Sequence, residues 1–232
     1  MAFQLKYTQP FPPTPSESAA TTSLISSLKL LSHPEGGYFV QTDKSYNHII
    51  PNPFLTSSPR DPFAQDTSTN TKITAVAGDT RAVGEKDETR AASTTIFYLL
   101  SSMSPKGHFH RNKARTMHLH HRGRARYVIL HADEWDGTPG TCRIEDWVVG
   151  ENVEGGERLQ WMVEGGKYKA SYLLPGDAEE KESGEGVAGC LISEVVVPGF
   201  EFTDHDFLTW DRLVLLVGEK SAEEMKWLVH KD

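Results

Sequence analysis

Residues 94–123 read TTIFYLLSSMSPKGHFHRNKARTMHLHHRG, and this stretch holds five of the ten histidines in the chain. Apolar and polar residues alternate in GHFH and in TMHLH, which is typical of strands whose two faces meet different surroundings. The residues that share a face are His108 with His110, and Thr116 with His118 and His120. If the two strands are neighbours in a barrel, their imidazoles converge on one interior. The stretch therefore predicts a functional pocket.

Short apolar or alternating runs continue on both sides of this stretch, and turn signals such as DGTPG, EGGE and EGGK separate them. Many short strands at a spacing of roughly ten residues predict an all-β sandwich or barrel. Four apolar residues between positions 24 and 31 recur at helical spacing, with Ser16 or Ser18 as a cap. A C-terminal helix is predicted from the capping box formed by Ser221 and Glu224.

These patterns predict one domain over residues 16–220, with an irregular proline-rich arm at 1–15 and a helix at 221–232. Residues 50–92 are polar and rich in turn formers, so we expect an inserted loop with one short strand, ITAVA. The acidic run at 176–186 predicts a surface loop.

Composition limits the function classes. The chain has 232 residues, of which 38% are hydrophobic, enough for one sizeable core. A net charge of −8 argues against general binding to nucleic acid or to anionic membranes. The two cysteines make neither a disulfide framework nor a metal motif. No leader or long apolar run is visible, so a soluble, cytoplasmic protein is expected.

A basic streak runs from Lys106 to Arg126 inside this acidic chain. It fits a strand edge whose charges are balanced by acidic loops. It also fits a positive pocket mouth that attracts an anionic small molecule.

Three sequence blocks carry a family resemblance: HPEGGYF at 33–39, the stretch at 94–123, and VVVPGFEF at 195–202 followed by Asp206 and Phe207. Together they resemble the cupin superfamily, and within it the cupin_5 (DUF985) group of RmlC-like proteins. The resemblance implies a double-stranded β-helix, the cupin jelly-roll barrel, with short flanking helices and a pocket inside. It also implies a homodimer.

The chain departs from the family's metal motifs. Its first motif keeps His108, His110 and Gly123 but has Thr116 where a glutamate is usual. Its second has Glu164 for proline and Lys169 for histidine, while Tyr168 matches a position that is often aromatic, and Gln41 stands where the group tends to carry a glutamate. An ammonium 4 Å from a divalent cation would repel it, by about 4 kcal/mol for each unit of the cation's charge at an effective dielectric of about 20. We therefore expect no cofactor. The alternative is an Fe, Mn, Ni or Zn ion bound by His108, His110 and His118, because His118 and His120 share the face of Thr116.

Without a metal, the resemblance to sugar epimerases predicts acid–base isomerase, epimerase, cyclase or similar lyase chemistry on a carbonyl-containing metabolite. His110 is the base candidate, Lys169 the electrophile or proton donor, and Tyr168 a phenolic donor. The candidates for substrate binding are Glu35, Tyr38, Tyr98, Thr116, His118, His120 and Phe200. Two alternatives stay open, a metal-dependent dioxygenase or decarboxylase and a non-catalytic binder of small molecules. Residues 204–206, beside the PGF turn, are interpreted as a surface loop.

Overall fold

The computed structural model describes residues 13–55, 88–174 and 189–231. Its helices are α1 (Ala19–Leu28), α2 (Trp210–Val217) and α3 (Glu219–Met225). The first strands are β1 (Leu31–Ser32), β2 (Tyr38–Lys44), β3 (Ile49–Pro51), β4 (Thr89–Ala91), β5 (Thr94–Leu100), β6 (Lys106–Arg111) and β7 (Arg115–Arg122). The others are β8 (Ala125–Leu130), β9 (Ile144–Val149), β10 (Gln160–Val163), β11 (Tyr168–Leu173), β12 (Cys190–Val197) and β13 (Asp206–Phe207).

The strands form two large antiparallel sheets. One has six strands in the order β1-β2-β5-β12-β7-β10, and the other has five in the order β13-β6-β11-β8-β9. Neighbours in the sheets are mostly distant in sequence, as the crossing connections of a jelly roll require. The predicted all-β jelly-roll fold is confirmed.

Two apolar layers bury the faces of the five-stranded sheet. Its inner face packs against the six-stranded sheet through residues such as Tyr127, Ile129, Trp161 and Ile192. Its outer face packs against the C-terminal helices in a layer that includes Phe109, Tyr168, Leu213, Leu216 and Met225. The barrel interior therefore lies between the sheets, and every second residue of each strand points into it.

The two histidine-bearing strands are not neighbours, which corrects the expectation that they pair. β6 pairs with β11 and β13 in the five-stranded sheet. β7 pairs with β12 and β10 in the six-stranded sheet. Their inward side chains therefore approach the interior from opposite sheets.

The predicted helix cap is confirmed near the N-terminus of the chain but not near its C-terminus. Ser18 caps α1, accepting a hydrogen bond from the backbone N–H of Thr21. The capping box at Ser221 is wrong, since α3 begins at Glu219 and Ser221 lies inside it. α2 was not predicted, although Thr209 caps it with its side chain.

At the two edges of the predicted insertion, β3 pairs with β4 in a small two-stranded ribbon. Most of that insertion, including ITAVA, lies outside the described residues, as do the acidic loop at 176–186 and residues 1–12 of the arm. Within the described parts of the chain, the helices are all too short or too polar to cross a membrane.

Candidate functional site

A buried ion pair occupies the interior between the two sheets. The Lys169 ammonium, on β11, donates to Glu194 Oε2 at 2.8 Å and to His118 Nε2 at 2.9 Å. Glu194 and His118 lie opposite each other on β12 and β7, so both point inward. The Trp161 ring stacks on His118 at 5.0 Å. Strand alternation and one cross-strand pair thus place three ionisable groups in a water-poor interior.

A second cluster surrounds His110. This histidine lies on β6, directly opposite Lys169 on the neighbouring strand β11. His110 Nε2 lies 3.1 Å from Glu35 Oε2, and His205 Nε2 lies 2.8 Å from Glu35 Oε1. The His110 and His205 rings stack at 5.3 Å. The interior therefore holds a carboxylate between two imidazoles, next to the lysine centre.

The turn before β2 carries Glu35 into this interior. Gly36 adopts a φ of +102°, and a Cβ there would lie 2.1 Å from the carbonyl oxygen of Lys106. The Glu35 carbonyl oxygen accepts from the His108 backbone N–H at 2.7 Å. Only glycine allows this close approach between turn and strand, which explains the Gly-Gly pair in HPEGGYF.

His205 is held by a short 3-10 helix at Phe202–Asp204, which corrects the surface-loop interpretation of 204–206. Asp204 is buried and forms a bidentate ion pair with the buried guanidinium of Arg90, with Nη2 to Oδ1 at 2.9 Å. Arg90 in turn donates to Asn52 at 3.0 Å. The predicted insertion thus supplies, at its edges, residues that position His205.

Burial and pairing set the charge states of these groups. Burial lowers the pKa of His110 to about 3, with the nearby Lys169 acting in the same direction and Glu35 opposing them. Burial also lowers the pKa of His118, again helped by Lys169. Burial would raise the pKa of Glu194, but Lys169 and His118 hold it well below its usual range. The pKa of Glu35 is also lowered, because its histidine neighbours outweigh burial. Near neutral pH, His110 and His118 are therefore neutral, and the carboxyl groups of Glu35 and Glu194 are ionised.

Several predicted residues do lie in this interior. Thr116 and His118 are buried on the inner face of β7, and Lys169 is 5% exposed. Tyr98, on β5, is buried and donates to the Gly36 carbonyl oxygen at 2.8 Å, so its hydroxyl helps to hold the turn. Burial raises the Tyr98 pKa well above its usual value.

Other predicted residues lie elsewhere. Tyr168 follows the opposite parity to Lys169 and packs under the C-terminal helices, where its hydroxyl contacts Asp206. Tyr38 lies on the outer face beside α1 and donates to Glu17. The structure therefore corrects the placement of both tyrosines in the pocket. His120 contacts the Gly123 carbonyl oxygen at the end of β7, and the Phe200 ring packs on Phe202. Neither residue contacts the two interior clusters.

The predicted metal set of His108, His110 and His118 does not converge. His108 Nδ1 donates to the Glu35 carbonyl oxygen, and its ring packs against His230. His118 is engaged by Lys169 and Glu194. A positive ammonium stands where the motif usually has a metal-binding histidine, so these residues do not fit a cupin metal centre.

Most cations of the basic streak are paired with carboxylates outside the barrel, which favours the interpretation as a balanced strand edge. Its ion pairs join Arg111 to Asp206, Lys113 to Asp204, Arg115 to Glu164, Arg124 to Glu157 and Arg126 to Asp146. A cavity of about 260 Å³ also lies apart from the clusters, lined by His131, Glu134, Trp135, Asp136, Thr141 and Arg143.

Sequence reasoning missed Glu194 and His205. Glu194 was detectable, because it is the one charged residue in a mostly apolar strand. His205 follows the PGFEF block by only three residues, but nothing in the pattern shows which of its neighbours is turned inward. Both residues come from segments far in sequence from the histidine stretch.

The sequence matches the family Cupin_5, described as cupin superfamily (DUF985), over residues 22–208. The chain belongs to the Cupin_5 family. A relative, the uncharacterized protein YML079W of Saccharomyces cerevisiae, is 36% identical over 218 residues, which cover 93% of this chain and 89% of the relative. The predicted family is confirmed.

Solved structures agree with this cupin assignment at the level of the fold. A hypothetical protein from Leishmania major has a TM-score of 0.62 at 24% identity, covering 91% of this chain and 99% of that one. Protein SO0799 from Shewanella oneidensis has a TM-score of 0.57 at 19% identity, covering 94% and 100%. The names of these relatives state no substrate.

Proposed function

We propose that this cupin is a small-molecule enzyme that moves protons next to a carbonyl group, as isomerases, epimerases and cyclases do. One observation carries the proposal: a neutral imidazole, His110, is the direct cross-strand partner of the buried ammonium of Lys169, and its Nε2 has no hydrogen-bond partner among the residues that the structure describes. A neutral imidazole accepts a proton from carbon, and an ammonium stabilises the enolate oxygen that forms.

The roles follow from the contacts. His110 accepts the proton alpha to the carbonyl through Nε2 and returns it to carbon in the second half of the reaction. Lys169 donates a hydrogen bond to the oxygen on which negative charge develops. Glu194 holds the ammonium in place at 2.8 Å. Tyr168 has no part in this scheme, because its hydroxyl lies on the other face of β11.

The interior charge also bears on the substrate. Two ionised carboxylates, Glu35 and Glu194, face the side chain of Lys169, while burial keeps His110 and His118 neutral by lowering the pKa of each. Two carboxylates in a buried interior disfavour an anionic ligand. We therefore propose a neutral carbonyl compound rather than the anionic one that the basic streak suggested.

Proton exchange with solvent tests this function. Chelator-treated protein is incubated with a panel of ketoses, keto-sugars and oxo acids in deuterated water, and loss of the alpha-proton signal is followed by NMR. Exchange is expected with the wild-type protein and with His121→Gln, whose side chain lies on the exposed outer face of β7. It should be lost in His110→Gln.

Two outcomes would favour the alternatives. Tight binding of a carbonyl compound without exchange would indicate a non-catalytic binder. Turnover that appears only after a metal is added would indicate a metal-dependent dioxygenase or decarboxylase.

A homodimer in the cytoplasm is part of the same proposal. Met162, Met117 and Val195 lie in one row across β10, β7 and β12 on the outer face of the six-stranded sheet. Met162 is 40% exposed, so this apolar row is available to a second copy. Analytical ultracentrifugation measures the mass of the particle, and fluorescence microscopy of the full-length protein tests its location.

A further inference from the structure

Three side chains from separate parts of the chain meet with their ligand-type atoms facing one another. Glu35 comes from the turn before β2, His110 from β6, and His205 from the segment before β13. Their coordinating atoms all lie within 4.8 Å of one another. Exposed fractions are 8%, 4% and 7%, so water does not compete for these atoms freely.

His110 Nε2 and Glu35 Oε2 are in contact, but neither atom carries a hydrogen that could bond them. His110 Nδ1 lies 2.9 Å from the carbonyl oxygen of His108, which can only accept, so Nδ1 carries the proton of the neutral ring. Nε2 then presents its lone pair to Glu35 Oε2 at 3.1 Å, and no hydrogen bond joins the two atoms. Buried polar atoms without a partner are rare, and two acceptors at this distance repel unless a cation lies between them.

The surrounding charge favours a cation. Glu35 has the imidazoles of His33, His110 and His205 around it, and its carboxylate is not paired with a lysine or arginine within the described residues. The nearest buried ammonium, Lys169, is already held by Glu194 at 2.8 Å. The carboxylate therefore keeps a negative charge that a bound ion would neutralise.

We propose that Glu35, His110 and His205 form a binding site for a divalent first-row transition metal. Two imidazoles and one carboxylate are donors that Zn²⁺, Fe²⁺, Co²⁺ and Ni²⁺ accept, and such a set leaves further coordination positions open. Ligand atoms about 2.1 Å from an ion lie about 3.0 to 3.4 Å apart, close to the 2.8 and 3.1 Å separations here.

This site differs from the one that the family motif implies. It keeps one histidine of the HFH pair and takes its other two ligands from the GG turn and from the segment after β12. The ion would replace the proton that His205 now shares with Glu35 Oε1, and the stacked rings already direct both Nε2 atoms at the same carboxylate. The two imidazoles face different oxygens of the Glu35 carboxylate, and rotation of these three side chains would bring their ligand atoms, already within 4.8 Å of one another, onto one ion.

The site does not depend on the proposed acid–base function, but the two are linked through one lone pair. A metal bound to His110 Nε2 occupies the atom that would accept the substrate proton. Loading the site should therefore suppress alpha-proton exchange. Metal binding itself is measured without any substrate, so failure of one proposal is distinguishable from failure of the other.

The test uses full-length protein purified without an affinity tag and dialysed against a chelator. Co²⁺ is titrated while the visible d–d absorption is recorded, and Zn²⁺ stoichiometry is measured by equilibrium dialysis. One ion per chain is expected. Glu35→Gln and His205→Gln should each weaken binding by about tenfold or more. His131→Gln is the matched control, because His131 belongs to a separate cluster with Asp133 and Glu134.

Circular dichroism of the metal-free variants checks that each is folded. If both site variants unfold, the wild-type Co²⁺ complex decides the question, since its paramagnetically shifted NMR signals should come from two histidine rings. The site is refuted if the wild-type protein retains no ion at micromolar concentration. It is also refuted if folded Glu35→Gln binds like wild type while His131→Gln does not, or if the shifted signals show fewer than two imidazoles.

Discussion

Replacing Lys169 by methionine removes the positive partner of Glu194 and keeps a side chain of similar length. The Nζ–Oε2 distance is 2.8 Å, so the direct attraction is about 6 kcal/mol at an effective dielectric of about 20. Desolvation offsets part of this attraction, and breaking a buried pair typically costs about 3–5 kcal/mol. We therefore expect the free energy of unfolding, measured in urea at pH 7.5, to fall by about 3–5 kcal/mol, and the Tm to fall by about 6–20 °C.

The loss should depend on pH in a defined direction. In the wild-type protein the pKa of Glu194 lies below its ordinary value of 4.5, so the pair stabilises the fold above that pH and less below it. In Lys169→Met burial acts on Glu194 without the ammonium and raises its pKa. As the pH falls, protonation of the Glu194 carboxyl removes the unpaired buried charge, and the variant loses less stability. The difference in unfolding free energy should therefore shrink between pH 7.5 and pH 5.

Two controls separate this effect from general damage. Lys226→Met breaks an exposed pair with Glu223 at 3.1 Å and should cost less than about 0.5 kcal/mol. The double variant Lys169→Met/Glu194→Leu should recover most of the stability, because it leaves no unpaired charge. A loss under about 1 kcal/mol at pH 7.5, or a loss that is the same at pH 5, would show that no buried ion pair is present.

Three further outcomes are expected. Gly36→Ala should destabilise the protein by more than about 3 kcal/mol in urea unfolding, because its Cβ collides with a backbone oxygen, whereas Gly156→Ala, with open space around it, should cost about 1 kcal/mol. Arg90→Met should cost about 3–5 kcal/mol by leaving Asp204 buried without its bidentate partner, and Co²⁺ absorption should weaken because His205 loses its support; an unchanged spectrum would contradict that support. Met162→Glu should shift the particle toward monomer in ultracentrifugation if the outer face is the dimer contact.

The sequence determined the fold class because strand alternation is a local property. The runs at β5, β8, β11 and β12 each follow the period of a strand, and the GG turn requires glycine for backbone reasons. Parity shows that His108 and His110 share one face, and that Thr116 and His118 share another, but not which face is turned inward. The family blocks made the jelly roll predictable before any contact was visible.

Tertiary structure decided which of these groups meet. Parity told us that β6 and β7 each turn histidines to one side, but the crossing connections placed the two strands in opposite sheets. The partners of Lys169 and His110 consequently come from β12, from the turn before β2 and from the segment before β13. A local pattern reports which way a side chain points along its own strand. Which distant segment faces it is set by how the whole chain closes around its core.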